Sequence, residues 1–128
     1  MLTHGPRQAH VWLIFDVSQN RNVESDWKKF REMVPRLRER FLAERNAHIA
    51  RLLTDSKKSE TERFWDAEEE ARKVARTLRD CLDGHSRSKM TYFLYAMRAA
   101  GMLRKEDLAD FSQELQMQIF DERFEKKG

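Results

Sequence analysis

The chain has 128 residues, of which 40% are hydrophobic and 37% charged, and its 25 basic residues outnumber 22 acidic ones for a net charge of +3. This length suits one core rather than two, and 10% aromatic residues argue against disorder. One cysteine excludes an internal disulfide, and no apolar run approaches the roughly 20 residues that span a bilayer. The sequence therefore predicts a cytoplasmic protein away from membranes, with a single helical domain over residues 1–128.

The N-terminal region combines a turn-like segment with the most apolar stretch of the chain. Residues 1–9 contain Gly5-Pro6 and are predicted to be an irregular lead-in. Residues 10–17, HVWLIFDV, admit three interpretations: a helix, an extended segment across the other helices, or a strand that pairs with a second copy. A second copy would supply backbone partners that helices lack, so the strand interpretation is favoured over the extended segment and predicts a homodimer. In that strand, Trp12 and Ile14 share one face.

The first long helix is predicted to start near Ser25 or Asp26, either of which could cap its first turn. Pro35 lies inside the pattern and predicts a kink or break near Val34, because proline removes a backbone donor. The second piece should end near Leu53. The apolar positions recur every three or four residues and are Trp27, Phe30, Val34, Leu37, Phe41, Ile49, Leu52 and Leu53.

A second helix follows the polar loop at residues 54–60. Ser59 and Glu62 form a capping-box pattern, and Gly84 is placed to adopt the left-handed conformation that ends a helix. The apolar stripe between these signals is Phe64, Ala67, Ala71, Val74, Leu78, Cys81 and Leu82.

Two further helices complete the predicted fold. The third starts near Ser86 or Ser88 and is apolar on nearly every side, which predicts the most buried element of the chain, ending at Gly101. The fourth has one apolar face, and residues 121–128 form a charged tail that is expected to fray. The fold class is mainly α, a helical bundle of four or five segments with a possible short N-terminal strand. The apolar face of the fourth helix consists of Leu108, Phe111, Leu115 and Ile119.

Candidate catalytic and metal-binding residues are few. Glu44 and His48 share a helix face, but two residues at this spacing are common by chance and no second histidine completes a motif. Cys81 falls on an apolar face, and a buried cysteine is usually inert. The sequence contains no glycine-rich phosphate loop and no G-x-S-x-G motif. We therefore expect no catalytic residue, no metal site and no cofactor, and we expect that the protein is not an enzyme.

The first functional hypothesis is a protein–protein interaction module that forms a homodimer and binds a further, unidentified protein. Tryptophan often anchors such interfaces, so Trp12, Ile14 and Trp27 are the candidate interface residues, although both tryptophans could instead belong to the core.

The alternative hypothesis is a nucleic-acid-binding regulator. Arg31, Arg38 and Arg45 form a row at seven-residue spacing beside the apolar stripe and could grip a phosphate backbone. Alternatively, their alkyl stems could shield the edge of the core, or the charges could pair with the acidic face of the next helix. We favour such a structural role, because surface charges of this kind are often merely solvated. The helix–glycine–helix segment 90–119 is not expected to be a DNA-binding helix-turn-helix. Its second helix is acidic, whereas a recognition helix must approach the DNA phosphates.

Overall fold

The computed structural model describes the backbone of residues 4–121 and the side chains of residues 22–121. Four helices follow one another in this part of the chain, and no strand occurs in it. The mainly α bundle predicted from the sequence is therefore confirmed. The helices are α1 (His4–Leu53), α2 (Glu60–Leu82), α3 (Met90–Ala99) and α4 (Gln113–Ile119), with single 3₁₀ turns at Arg87–Lys89 and Lys105–Leu108.

The start of α1 corrects the N-terminal predictions. Residues 4–9 are helical rather than irregular, and residues 10–17 continue the same helix, so the strand interpretation is wrong. A helix pairs its own amide and carbonyl groups and thus removes the need for a strand partner. Proline close to a helix start sacrifices no intrahelical hydrogen bond, which is why Pro6 is compatible with this beginning. The argument for a strand-paired dimer is lost with the strand.

α1 also runs through Pro35 without interruption, so the break that was one of two outcomes predicted there does not occur. Packing explains how the helix persists, because Val34 and Leu37 on either side of the proline are buried in the core. Burial of apolar side chains stabilises a helix more than local propensity does. The predicted end at Leu53 is confirmed.

α2 runs back along the C-terminal part of α1 as the second arm of a helical hairpin. Its capping box is present: the Ser59 hydroxyl accepts from the Glu62 amide, and the Glu62 carboxylate accepts from the Ser59 amide. Gly84 has a φ of +80°, the left-handed conformation predicted for the residue that ends this helix. At that end His85 packs edge-to-face on Phe30 of α1, with ring centroids 4.8 Å apart.

The third layer of the bundle consists of α3, α4 and the turns between them. Phe93, Leu94 and Met97 of α3 are buried, but Tyr92 and Tyr95 are exposed, so α3 is not covered on nearly every side as predicted. Its neighbours α2 and α4 leave one side open. The fourth predicted helix is divided into a 3₁₀ turn and the short α4. Its predicted apolar face is nevertheless buried as a whole: Leu108, Phe111, Leu115 and Ile119.

Asp26 explains where this division occurs. It lies inside α1 and does not cap that helix; its buried carboxylate instead accepts hydrogen bonds from the amide and hydroxyl of Ser112, at 2.8 and 2.6 Å. Ser112 is the N-terminal cap of α4 and also accepts from the Leu115 amide. A long-range contact thus fixes the start of α4 against α1.

A second polar contact fastens the turn before α4. Both guanidinium Nη atoms of Arg40 donate to the Asp107 carboxylate at 2.9 and 2.7 Å, and one also donates to the Met102 carbonyl. The Arg104 amide donates to the same carboxylate at 2.7 Å. Burial alone would raise the pKa of Asp107, but the hydrogen bonds from Arg40 and Arg104 outweigh it, so this pKa lies below its usual value.

Candidate protein-binding surface

The three interface residues predicted from the sequence have different positions. Trp27 is only 9% exposed and stacks on Phe30, with ring centroids 5.5 Å apart and planes inclined by 15°. It is a core residue in this chain, which leaves little of its surface for a partner. The side chains of Trp12 and Ile14 lie outside the described residues.

The three arginines of the nucleic-acid hypothesis do not form one continuous exposed strip of positive charge. Arg31 is exposed, whereas Arg38 and Arg45 are half-buried. The Arg45 guanidinium lies 5.6 Å from the centre of the Phe41 ring, and its buried Nε has no hydrogen-bond partner among the described residues. The Arg45 side chain thus covers the edge of the core, as expected if the alkyl stems of the row shield the core.

Glu44 and Cys81, two of the residues considered for chemistry, lie in structural surroundings. Glu44 accepts a hydrogen bond from Arg104 at 2.7 Å. Burial raises the pKa of the Cys81 thiol, with a smaller contribution from the nearby Asp80. His85 donates through Nε2 to the Cys81 carbonyl, 2.7 Å away. Within residues 22–121, no three histidine, cysteine, aspartate or glutamate side chains are grouped as metal ligands would be.

An exposed apolar surface lies where α1 ends and α2 begins. We call Leu53, Phe64 and Trp65 the hairpin-tip surface; these side chains are 48%, 55% and 56% exposed. The Phe64 and Trp65 rings contact edge-to-face, with centroids 4.9 Å apart and planes inclined by 78°. This geometry joins two large aromatic side chains into one patch that water surrounds, which is unusual for residues that commonly fill cores.

The loop between the helices holds this surface in place. Arg63 donates from Nε to the Asp55 carbonyl at 2.7 Å, and Lys58 pairs with Asp66 across the start of α2. Together with the Ser59 capping box, these contacts restrain the loop at both of its ends. The hairpin-tip side chains therefore project from an ordered backbone.

Sequence reasoning missed Trp65, although a signal for it was present. At 100° per residue, the separation of nine positions from Trp65 to the buried Val74 places the two side chains on opposite faces of α2. A tryptophan on the polar face of an amphipathic helix indicates a contact surface rather than a core position. Phe64 was assigned to the apolar stripe but lies near its edge, beyond the part that α1 covers.

The charges on α2 are divided along the helix. Acidic residues dominate its first half and basic residues its second half. Two pairs join the halves on the exposed side: Arg72 with Glu68, and Lys73 with Glu69 at 3.6 Å. Arg76 and Arg79, further along, are exposed. The outer face of α2 thus carries Trp65 in an acidic part, followed by a basic part.

Comparisons with protein-family models, with curated proteins and with solved structures find no significant match to this chain. Within the described part of the chain, no helix has the length and apolar character needed to cross a membrane.

Proposed function

We propose that this chain is a non-enzymatic protein-interaction module that self-associates through the hairpin-tip surface and the outer face of α2. The observation that carries the proposal is the exposed Phe64–Trp65 pair on an ordered hairpin. The earlier ground for a homodimer, strand pairing of residues 10–17, plays no part in it.

Energetic considerations favour a protein partner for this surface. Tryptophan and other aromatic side chains dominate the binding energy of many protein interfaces, because they bury a large area with few rotatable bonds. An aromatic pair left in water also costs free energy that association recovers. The polar surroundings of Trp65, which include Thr61 and Glu69, match the polar rim of such an interface.

Charge complementarity favours a second copy as the partner. If two α2 helices pack antiparallel about a two-fold axis, the acidic first half of one helix faces the basic second half of the other. Glu68 and Glu69 would then lie opposite the part that contains Arg76 and Arg79, whose charges are exposed in the single chain. A parallel arrangement would instead place like charges together.

Size-exclusion chromatography with light scattering over a concentration series tests the proposal. We expect a mass that rises towards twice the 15.4 kDa of one chain, and a monomer at every concentration for Phe64→Ser/Trp65→Ser. Tyr92→Ser is the matched control, because Tyr92 is 66% exposed on α3 and should leave the dimer intact. A wild-type protein that stays monomeric throughout, or a control variant that dissociates equally, would contradict the proposal.

A further inference from the structure

Two arginines converge on one tryptophan ring at the opposite end of the hairpin. The Cζ atom of Arg31 lies 5.5 Å from the centre of the Trp27 ring, and that of Arg87 lies 6.0 Å from it. The two guanidinium groups are therefore no further apart than the sum of these distances. Arg31 belongs to α1 and Arg87 to the 3₁₀ turn before α3, so the fold brings them together from residues 56 positions apart.

Phe30 determines which part of the ring the arginines can use. Its ring stacks on one face of Trp27, which leaves the other face and the edges of the indole to the two guanidinium groups. Trp27 itself is almost fully buried, whereas Arg31 and Arg87 are exposed. The buried ring thus makes cation–π contacts with two solvent-exposed guanidinium groups.

The local charge balance leaves this pair able to bind an anion. Arg87 pairs through Nε with Glu24 at 2.8 Å, which orients its guanidinium group while the side chain stays exposed to solvent. No carboxylate of residues 22–121 forms an ion pair with Arg31. Lys28 and Glu32, both exposed on the same part of α1, add one charge of each sign. Three basic side chains are thus accompanied by two acidic ones, which leaves a net positive charge around the Trp27 ring.

We infer that Arg31 and Arg87 form a binding site for a phosphate group above Trp27. The planar guanidinium fork matches the oxygens of a phosphate, and two arginines held in place lose less conformational entropy on binding than free side chains would. This site differs from the row Arg31, Arg38 and Arg45 considered from the sequence, because only Arg31 is shared.

The phosphate can come from a free nucleotide or from a nucleic-acid strand, and the same two side chains would bind either. The site lies at the C-terminal end of α2, whereas the hairpin-tip surface lies at its N-terminal end. Within one chain the length of α2, 23 residues at about 1.5 Å each, separates the two sites, and neither Arg31 nor Arg87 belongs to the hairpin-tip surface. In an antiparallel pair of α2 helices the tip of one copy approaches the phosphate site of the other, so binding is also measured on the Phe64→Ser/Trp65→Ser variant, which is expected to be monomeric.

The test uses two probes on the full chain: ATP by isothermal titration calorimetry, and a fluorescein-labelled single-stranded DNA of about 20 nucleotides by fluorescence anisotropy at several salt concentrations. We expect at least one probe to bind. Binding of ATP alone identifies a free nucleotide as the source, and binding of DNA with little affinity for ATP identifies a strand; both outcomes support the site.

Arg31→Ala/Arg87→Ala should weaken binding at least about tenfold, and with DNA it should lower the slope of log affinity against log salt by about 1.4. The control Arg51→Ala/Lys57→Ala removes the same charge from exposed positions near the other end of the hairpin and should bind as the wild type does. Circular dichroism confirms that each variant is folded. The inference is overturned if neither probe binds at low salt, or if the control loses as much affinity as the site variant.

Discussion

Aromatic side chains are buried at one end of the α1–α2 hairpin and exposed at the other. At one end Trp27 and Phe30 are buried, and His85 contacts both Phe30 and Phe93 edge-to-face at 4.8 and 4.6 Å. At the other end Phe64 and Trp65 contact each other and are more than half exposed. The difference comes from the third layer, since α3 and the turn before it pack over the first end.

This contrast shows why aromatic content alone does not locate a binding surface. An aromatic side chain on a helix becomes core where a third element covers the helix pair, and it stays exposed where only two helices meet. The periodicity of α1 and α2 predicts the two-helix packing, but it does not say how far along the hairpin the third layer extends.

The largest expected effect is a loss of stability at the buried end of the hairpin. Phe30→Ala removes a fully buried ring and should lower the free energy of unfolding by about 3–5 kcal/mol. Phe64→Ala, the matched change at the exposed end, should lower it by no more than about 0.5 kcal/mol. Urea denaturation followed by circular dichroism measures both, and equal losses would contradict the assignment of the two ends.

The next effect is pH-dependent and concerns the contact between α1 and the turn before α4. The pKa of Asp107 is lower in the folded chain than in the unfolded one, so its contribution is complete above the unfolded value of about 3.9 and disappears as pH falls through the folded value. Asp107→Asn should cost about 2 kcal/mol at pH 7, because Arg40 loses its charged partner. The cost should shrink below about pH 4. Thermal melts of both proteins between pH 2 and 7 check this, and a constant difference would be inconsistent with it.

A smaller effect is expected where Asp26 holds the cap of α4. Asp26→Asn keeps the shape of the side chain but replaces one acceptor oxygen with a donor that faces Ser112, which should cost about 1–2 kcal/mol. Amide hydrogen exchange should quicken first in α4, residues 113–119. Ser25→Ala, an exposed neighbour, should change neither quantity. Faster exchange spread evenly over all helices would argue against a local anchor.

The smallest effect is at the start of α2. Ser59→Ala removes the side-chain half of the capping box and should lower the free energy of unfolding by about 1 kcal/mol. Ser56→Ala in the same loop, exposed and outside the capping box, serves as the control. Chemical denaturation resolves the two, and an equal result for both variants would mean that the box contributes nothing.

Features that depend on neighbouring residues in the sequence could be predicted, and features that depend on distant ones could not. Ser59 with Glu62, and the left-handed Gly84, act within one helical turn and occur as expected. The division of the last predicted helix depends on Asp26, 86 residues before Ser112. The helical state of residues 10–17 was one of three open interpretations, because a short apolar run fits a helix or a strand equally well.

The candidate site was less predictable than the fold for a related reason. Trp27 and Trp65 are both tryptophans on long helices, and only the position of each on its helix and the extent of the third layer distinguish them. The position of Trp65 on its helix can be read from the helical wheel of α2. The extent of the third layer depends on where α3 packs, which no local pattern reveals.

Acrylamide quenching of Trp65 fluorescence shows whether the hairpin tip is exposed in one copy and covered when copies associate. The measurement uses a Trp12→Phe/Trp27→Phe variant whose only tryptophan is Trp65. We expect strong quenching in dilute protein, because the ring is 56% exposed, and clear protection as concentration rises and copies associate through it. Quenching that is weak at low concentration, or unchanged by concentration, would contradict an exposed ring at the hairpin tip that serves as the contact between copies.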